Sequence, residues 1–178
     1  SPISVLPNGV DLDYFQPNSD IQRDEETIVF SGKMSYHANI SMVKYLVDEV
    51  MPRVWKVRPA ARLIIVGKDP TPDIKAFAEN PLIAVTGTVA DIRPFLWCAT
   101  VSVVPLLYGA GIQNKILEAM ATGTPVVTTS RTLSALEAQP GTEILVADTA
   151  DAFSAEVLRL LGNKTLVNKI GNAGLMYV

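Results

Sequence analysis

The chain has 178 residues, 48% of them apolar, which is enough for one well-buried core and, by default, a single compact domain. A net charge of -3 with no basic run excludes the electrostatic footprint of a nucleic-acid binder. One cysteine and one histidine exclude an internal disulfide and an imidazole metal cluster, and no apolar run approaches the roughly 20 residues that cross a bilayer.

In chain order, residues 1–25, with "LPNGVDLDYFQPNSD" between short apolar pieces, read as an entry segment from a domain upstream, and residues 26–178 as the folded domain. "TIVFSG" (27–32) is the first strand. "NISMVKYLVDEVMPRVWKV" follows as an amphipathic helix with Asn39 as N-cap, which Pro52 must kink or divide. Then come the strand "RLIIVG" (62–67), the helix "TPDIKAFAEN", the strand "LIAVTG" (82–87), and the helix "ADIRPFLWCA", capped by Asp91. Cys98, in the apolar stretch "FLWCATVSVV", reads as a buried thiol acting as a small hydrophobe. The strand "TVSVVP" (100–105) leads through "LLYGAG" into a helix beginning near Ile112 or Gln113. "TPVVTT" (124–129) and "EILVAD" (143–148) are the last strands, with the helix "TLSALEAQ", capped by Thr132, between them. "TADAFSAEVLRLL", capped by Thr149 or Asp151, and "KTLVNKIGNAGL" close the chain as helices.

Short β-branched runs alternating with amphipathic stretches predict βα units around a parallel sheet, and the near-continuous apolar runs "LIIV" and "VSVV" predict strands buried on both faces. The expected fold is therefore α/β, a doubly wound, Rossmann-like sheet that binds ligands at the carboxyl ends of its strands. Gly32, Gly67, Gly87 and the loop from Gly109 to Gly111 fall there. The helix after that loop offers free backbone N–H groups and a positive dipole end, and its small residues let an anion approach. Lys115 adds a charge in the first turn, with Glu118 three residues on. Spacing alone also allows an ordinary solvent-exposed pair.

"KILEAMATGTPVV" resembles the most characteristic stretch of the GT-B glycosyltransferases of family four, glycosyl transferase group 1, whose motif is glutamate, seven residues, glutamate, then "AMA-x-G-x-PVV". "VLPNGVDLDYFQP", "IVFSGKMSYHANISMVKYLVDEVMPRV", "ARLIIVGKDP" and "IAVTGTVADIRPFLWCATVSVVPL" are similar to the family's other segments, in order and at the usual intervals. The resemblance implies the C-terminal half of a GT-B fold, the donor-binding domain of a retaining, metal-independent hexosyltransferase. It places Glu118 on the donor's ribose hydroxyls. Gly32 and Lys33 match a glycine and basic residue at the leaving diphosphate, with lysine in place of the usual arginine fork. Lys115 stands in for a second basic residue that "MSYHAN" lacks, and Val89 matches the place where backbone holds the donor's base. The first glutamate's position holds Ala110, so contact with the donor sugar falls to the amides of Gly111, Ile112 and Gln113.

The implied substrate is a UDP- or GDP-linked sugar, with no cofactor and no metal. The implied partner is an N-terminal acceptor domain, outside this chain, through which a cytoplasmic enzyme of polysaccharide or glycolipid synthesis would dock at the inner face of a membrane. Alone, the chain should bind donor and turn over little. Asp91 and Arg93 read as capping and surface charges, and His37 as a polar loop residue without a partner. Two other readings stay open: a sugar-nucleotide-binding module that performs no transfer, and an epimerase of GT-B architecture. A receiver-like signalling domain is disfavoured because no acidic cluster follows a strand.

Overall fold

Valine and isoleucine fill the six expected strands, and their branched side chains pack well on a pleated surface covered on both sides. The computed structural model describes residues 9–109 and 113–178. It contains β1 (Thr27–Ser31), β2 (Arg62–Val66), β3 (Ile83–Val85), β4 (Val101–Val104), β5 (Val126–Thr128) and β6 (Leu145–Val146). They form one sheet in the order β3-β2-β1-β4-β5-β6, every pairing parallel. Every residue of β1 and β4 is buried, as strands covered on both faces require. The chain winds outward from β1 to β3 and returns to lay β4 on the other side of β1. That reversal opens a crevice at the carboxyl ends of β1 and β4, the place where such sheets bind ligands.

The long helix expected after β1 is α1 (His37–Tyr45), a π-helical turn (Leu46–Val50) and α2 (Met51–Val57) in succession. Pro52 thus divides it: the proline sits in the first turn of α2, and the wider turn before it absorbs the lost hydrogen bond. Asn39 is not the N-cap. Tyr36 holds that position, and Asn39 lies inside the first turn with its side chain buried. Next come α3 (Pro72–Ala76), with a 3₁₀ turn at Phe77–Glu79, and α4 (Arg93–Cys98). The Asp91 carboxylate accepts the Arg93 N–H at 2.9 Å one position ahead of the N-cap, and it also pairs with the Arg93 guanidinium. Cys98, at the end of α4, is half-buried and not enclosed as expected.

The remaining elements are α5 (Asn114–Ala121), α6 (Ala150–Leu160) and α7 (Lys164–Tyr177). Thr149 caps α6 through the Ala152 N–H and Asn163 caps α7 through the Leu166 N–H. "TLSALEAQ" forms no α-helix: Ser130–Ala135 is a 3₁₀ turn, and Thr132 lies inside it with its hydroxyl donating to the Thr129 carbonyl. Leu136, directly after the turn, is extended at φ -131° and ψ 129°, so the buried Leu136 and Ala138 reach the core from extended chain and not from a helix.

Two features fix the frame. Gly67, just past β2, has φ 148°, and a Cβ there would stand 1.7 Å from the Gly32 carbonyl oxygen. The Gly32 N–H in turn donates to the Val66 carbonyl at 3.0 Å, so the ends of β1 and β2 are pressed backbone to backbone. Gly67→Ala should lower unfolding stability by about 3 kcal/mol or more, because neither main chain can give way cheaply. An unfolding free energy within about 0.5 kcal/mol of the parent's, measured by urea titration, would contradict that contact.

The second feature is the chain ahead of β1. Val10 and Phe15 pack against the core, and the Trp97 indole N–H donates to the Gln16 carbonyl at 2.8 Å. Arg93 lies over the Tyr14 ring, 3.9 Å from its centroid. The Arg23 guanidinium donates to the carbonyls of Leu96, Trp97, Ala99 and Thr122 and to the Thr124 hydroxyl. The first three belong to the end of α4 and Thr122 to the end of α5, so one cation meets two negative helix termini. Burial pushes its pKa down to about 10, which leaves it charged at neutral pH.

Candidate functional site

The site grows from three pieces of chain that meet at the crevice. The first is the turn after β1. Gly32 has φ 154°, and a Cβ there would lie 2.7 Å from the Asn39 side-chain nitrogen and 2.9 Å from the Lys115 ammonium. Gly32 is bare because those two side chains pass directly over it.

The second piece is α5. Its amphipathic pattern turns Ile116, Leu117, Ala119, Met120 and Ala121 into the core, which swings Lys115 toward β1. The Lys115 ammonium donates to Asn39 Oδ1 at 2.5 Å and sits 4.4 Å from the centroid of the Phe30 ring, a cation–π contact. Part of the side-chain surface remains open, yet the charged end is packed among protein atoms, and burial pushes its pKa down to about 8 against the opposing pull of Glu118. Glu118 is also half-buried; burial raises its carboxyl pKa, with Lys115 pulling the other way. Burial outweighs mutual attraction at both ends. The hydrogen bond of Lys115 goes to a neutral amide, so the surface-pair reading of Lys115 and Glu118 does not hold.

The third piece is the chain after β4. The Tyr108 hydroxyl lies 2.6 Å from His37 Nδ1 and 3.2 Å from the Ser41 hydroxyl, and its ring stacks parallel to that of His37. His37 therefore has a partner and is the first residue of α1, contrary to its reading as an unpartnered loop residue. This clasp ties the β4–α5 connection to α1 beside the crevice. Spacing could not show it, although a tyrosine immediately before "GAG" was the available signal.

Of the other expected site residues, Gln113 stands at the N-cap of α5, half-buried, without a side-chain cap hydrogen bond. Gly111 and Ile112, with Ala110, lie outside the described residues. Lys33 points to solvent, its ammonium 3.9 Å from Asp69, an exposed pair worth little. Val89 lies between β3 and α4 and packs against the core. Asp91 holds the Arg93 N–H from one position ahead of the N-cap, Ile92, and Arg93 is not the surface charge expected: it is half-buried, paired with Asp91 and laid over the Tyr14 ring. Among the described residues no three of His, Cys, Asp and Glu are grouped to hold a metal ion, and no helix is long and apolar enough to cross a membrane.

Residues 25–163 match the family described as glycosyl transferases group 1. The chain belongs to that family. As a glycosyltransferase group 1 chain it carries the Rossmann-like, C-terminal half of a GT-B fold, and solved structures bear the fold out. It resembles TarM of S. aureus with TM-score 0.79 at 17% identity, over 96% of this chain and 34% of that one. It resembles the C-terminal domain of LpcC, a glycosyl transferase group 1 family protein from Francisella tularensis, with TM-score 0.75 at 15% identity, over 96% of each chain. It also resembles Anabaena HepE, solved in complex with UDP and glucose, with TM-score 0.72 at 12% identity, over 95% of this chain and 50% of that one. This glycosyltransferase chain thus spans about a third of TarM and half of HepE. A comparison with curated proteins found no match.

Proposed function

We propose that the crevice binds the diphosphate of a nucleotide sugar, and that the chain is the donor half of a retaining, metal-independent hexosyltransferase. The observation that carries this reading is the Lys115 ammonium: a cation packed at the switch point, hydrogen-bonded to an amide and lowered in pKa by burial, is short of negative charge. An incoming diphosphate supplies it. The start of α5 adds its dipole and amides to the same anion, and Lys33 adds a second, solvent-facing cation. Together they stabilise the charge that grows on the diphosphate as the glycosyl bond breaks, which is the chief electrostatic demand of the reaction. Glu118 meets the ribose hydroxyls, and backbone near Val89 holds the base. HepE, which shares the fold, was solved with UDP and glucose.

Acceptor and membrane contacts belong to an upstream domain, so the isolated chain binds donor and transfers little. Ala110, in place of the first glutamate, favours the non-catalytic module as the second reading. Transfer by the full-length enzyme that disappears in Glu118→Ala would decide for the enzyme.

Calorimetry of the folded chain against UDP-glucose and GDP-linked sugars tests the binding site itself. The diphosphate of such donors stays ionised from neutral to alkaline pH, so the pH dependence reports on the protein. Lys115 must be protonated to bind, and its pKa in the free protein is about 8. Affinity should be level below pH 8 and fall toward tenfold per pH unit above it. A folded chain that binds none of these donors would sink the proposal.

A further inference from the structure

We infer that Asn39 is the positioning residue of this anion site, joining the β1–α1 turn to α5 and holding Lys115 charged without neutralising it. The inference rests on the reading of Lys115 given above for its purpose, and on geometry alone for its mechanism.

Asn39 is a buried polar residue, 6% exposed, on the inner face of the first turn of α1. Its two amide atoms point at two different pieces of the site. Nδ2 donates to the Lys33 carbonyl at 2.9 Å, and Oδ1 accepts from the Lys115 ammonium at 2.5 Å. The partners fix the amide's orientation, because a carbonyl can only accept and an ammonium can only donate. One side chain therefore sets both the path of the main chain at Lys33 and the direction of the Lys115 head.

The choice of a neutral amide matters. Around the Lys115 ammonium stand the Phe30 ring from β1, the Gly32 turn, and Asn39 from α1. Among the described residues the charge that acts on it is Glu118, on its own helix. An aspartate would fill the same space as Asn39 but would close an ion pair, and the ammonium's charge would be spent inside the protein. Asparagine gives the lysine a fixed direction and leaves its charge for a ligand. Gly32 completes the arrangement, since any side chain there would collide with both groups.

The test compares Asn39→Asp and Asn39→Ala with the parent chain. Folding is checked by circular dichroism, and Lys115 is followed by NMR of isotopically labelled lysine, its signal identified by loss in Lys115→Met. Asn39→Asp should move the Lys115 titration midpoint upward from about 8 and weaken UDP-glucose binding by about tenfold or more at neutral pH. Asn39→Ala should weaken binding severalfold without raising the midpoint. A residue with only a structural part would lower the melting temperature and leave the midpoint where it was. An unmoved midpoint in folded Asn39→Asp overturns the inference. A midpoint that moves, in a chain whose parent binds no nucleotide sugar, upholds the role of Asn39 and overturns the donor-site reading instead.

Discussion

Replacing Lys115 by methionine should weaken UDP-glucose binding by about tenfold to a hundredfold and, at the same time, leave the fold slightly more stable. On the proposed donor site, the loss of binding follows from removing a charge-assisted hydrogen bond to the diphosphate, worth about 1.5–3 kcal/mol. The gain in stability follows from the burial of the ammonium. A fall in pKa from 10.5 to about 8 corresponds to a penalty of roughly 3 kcal/mol on the charged form in the folded state. Methionine removes that penalty with a side chain of similar length. Set against it are the stranded Oδ1 of Asn39 and the lost partner of Glu118, together about 2 kcal/mol. A net gain of about 1 kcal/mol at neutral pH is the expected result.

The pH dependence of stability separates this from a general packing effect. Because the folded-state pKa lies below the unfolded one, the unfolded chain binds more protons between about pH 8 and 10.5. The penalty is complete below pH 8 and vanishes as pH rises through that window. The parent should therefore gain stability across it, and Lys115→Met should not. Urea midpoints at pH 7, 9 and 10 measure this directly. Parallel curves for the two proteins would show that the Lys115 ammonium is solvated.

Six strands could be read from the sequence because the β-branched runs are bounded by glycine, proline and polar turns at every end, so local chemistry and burial pointed the same way. The failures lie where a tertiary contact overrides local pattern. Asn39 looks like a cap because asparagine before an apolar face usually is one; its true partners are 6 residues away, at Lys33, and 76 away, at Lys115. Periodicity carries no information about such distances. Leu133 and Leu136 have helical spacing, but the chain turns extended at Leu136, which with Ala138 is buried without a helix. At the candidate site, Gly32, Lys115 and Glu118 were visible as spacing plus family resemblance, whereas the Tyr108–His37 clasp joins residues 71 apart, a pairing that no local pattern specifies.

Arg23 escaped the sequence reading altogether, and it carries the second large effect: Arg23→Met should destabilise the chain by about 3 kcal/mol. Like Lys115 it is a cation held in protein, and burial lowers the pKa of both. The expected signs are opposite because the hydrogen-bond inventories differ. Lys115 has one neutral acceptor, and removing it strands one oxygen. Arg23 serves four carbonyls and a hydroxyl at two helix ends, and although the Leu96 carbonyl keeps the Thr124 hydroxyl as a donor, the other part-buried acceptors lose theirs, at about 1–3 kcal/mol for each buried group left unmade. That cost exceeds whatever desolvation is relieved. Arg23→Lys should recover less than half of the loss, since a point charge cannot span a fan of five acceptors. Urea unfolding of both variants, with nucleotide affinity measured alongside, checks the assignment. Stability should fall without loss of UDP-glucose binding in the folded fraction, because Arg23 lies at the amino-terminal edge of the sheet, opposite Lys115. Arg23 and Lys115 sit at opposite edges of one sheet and share no hydrogen-bond partner, so a change at one leaves the contacts of the other in place.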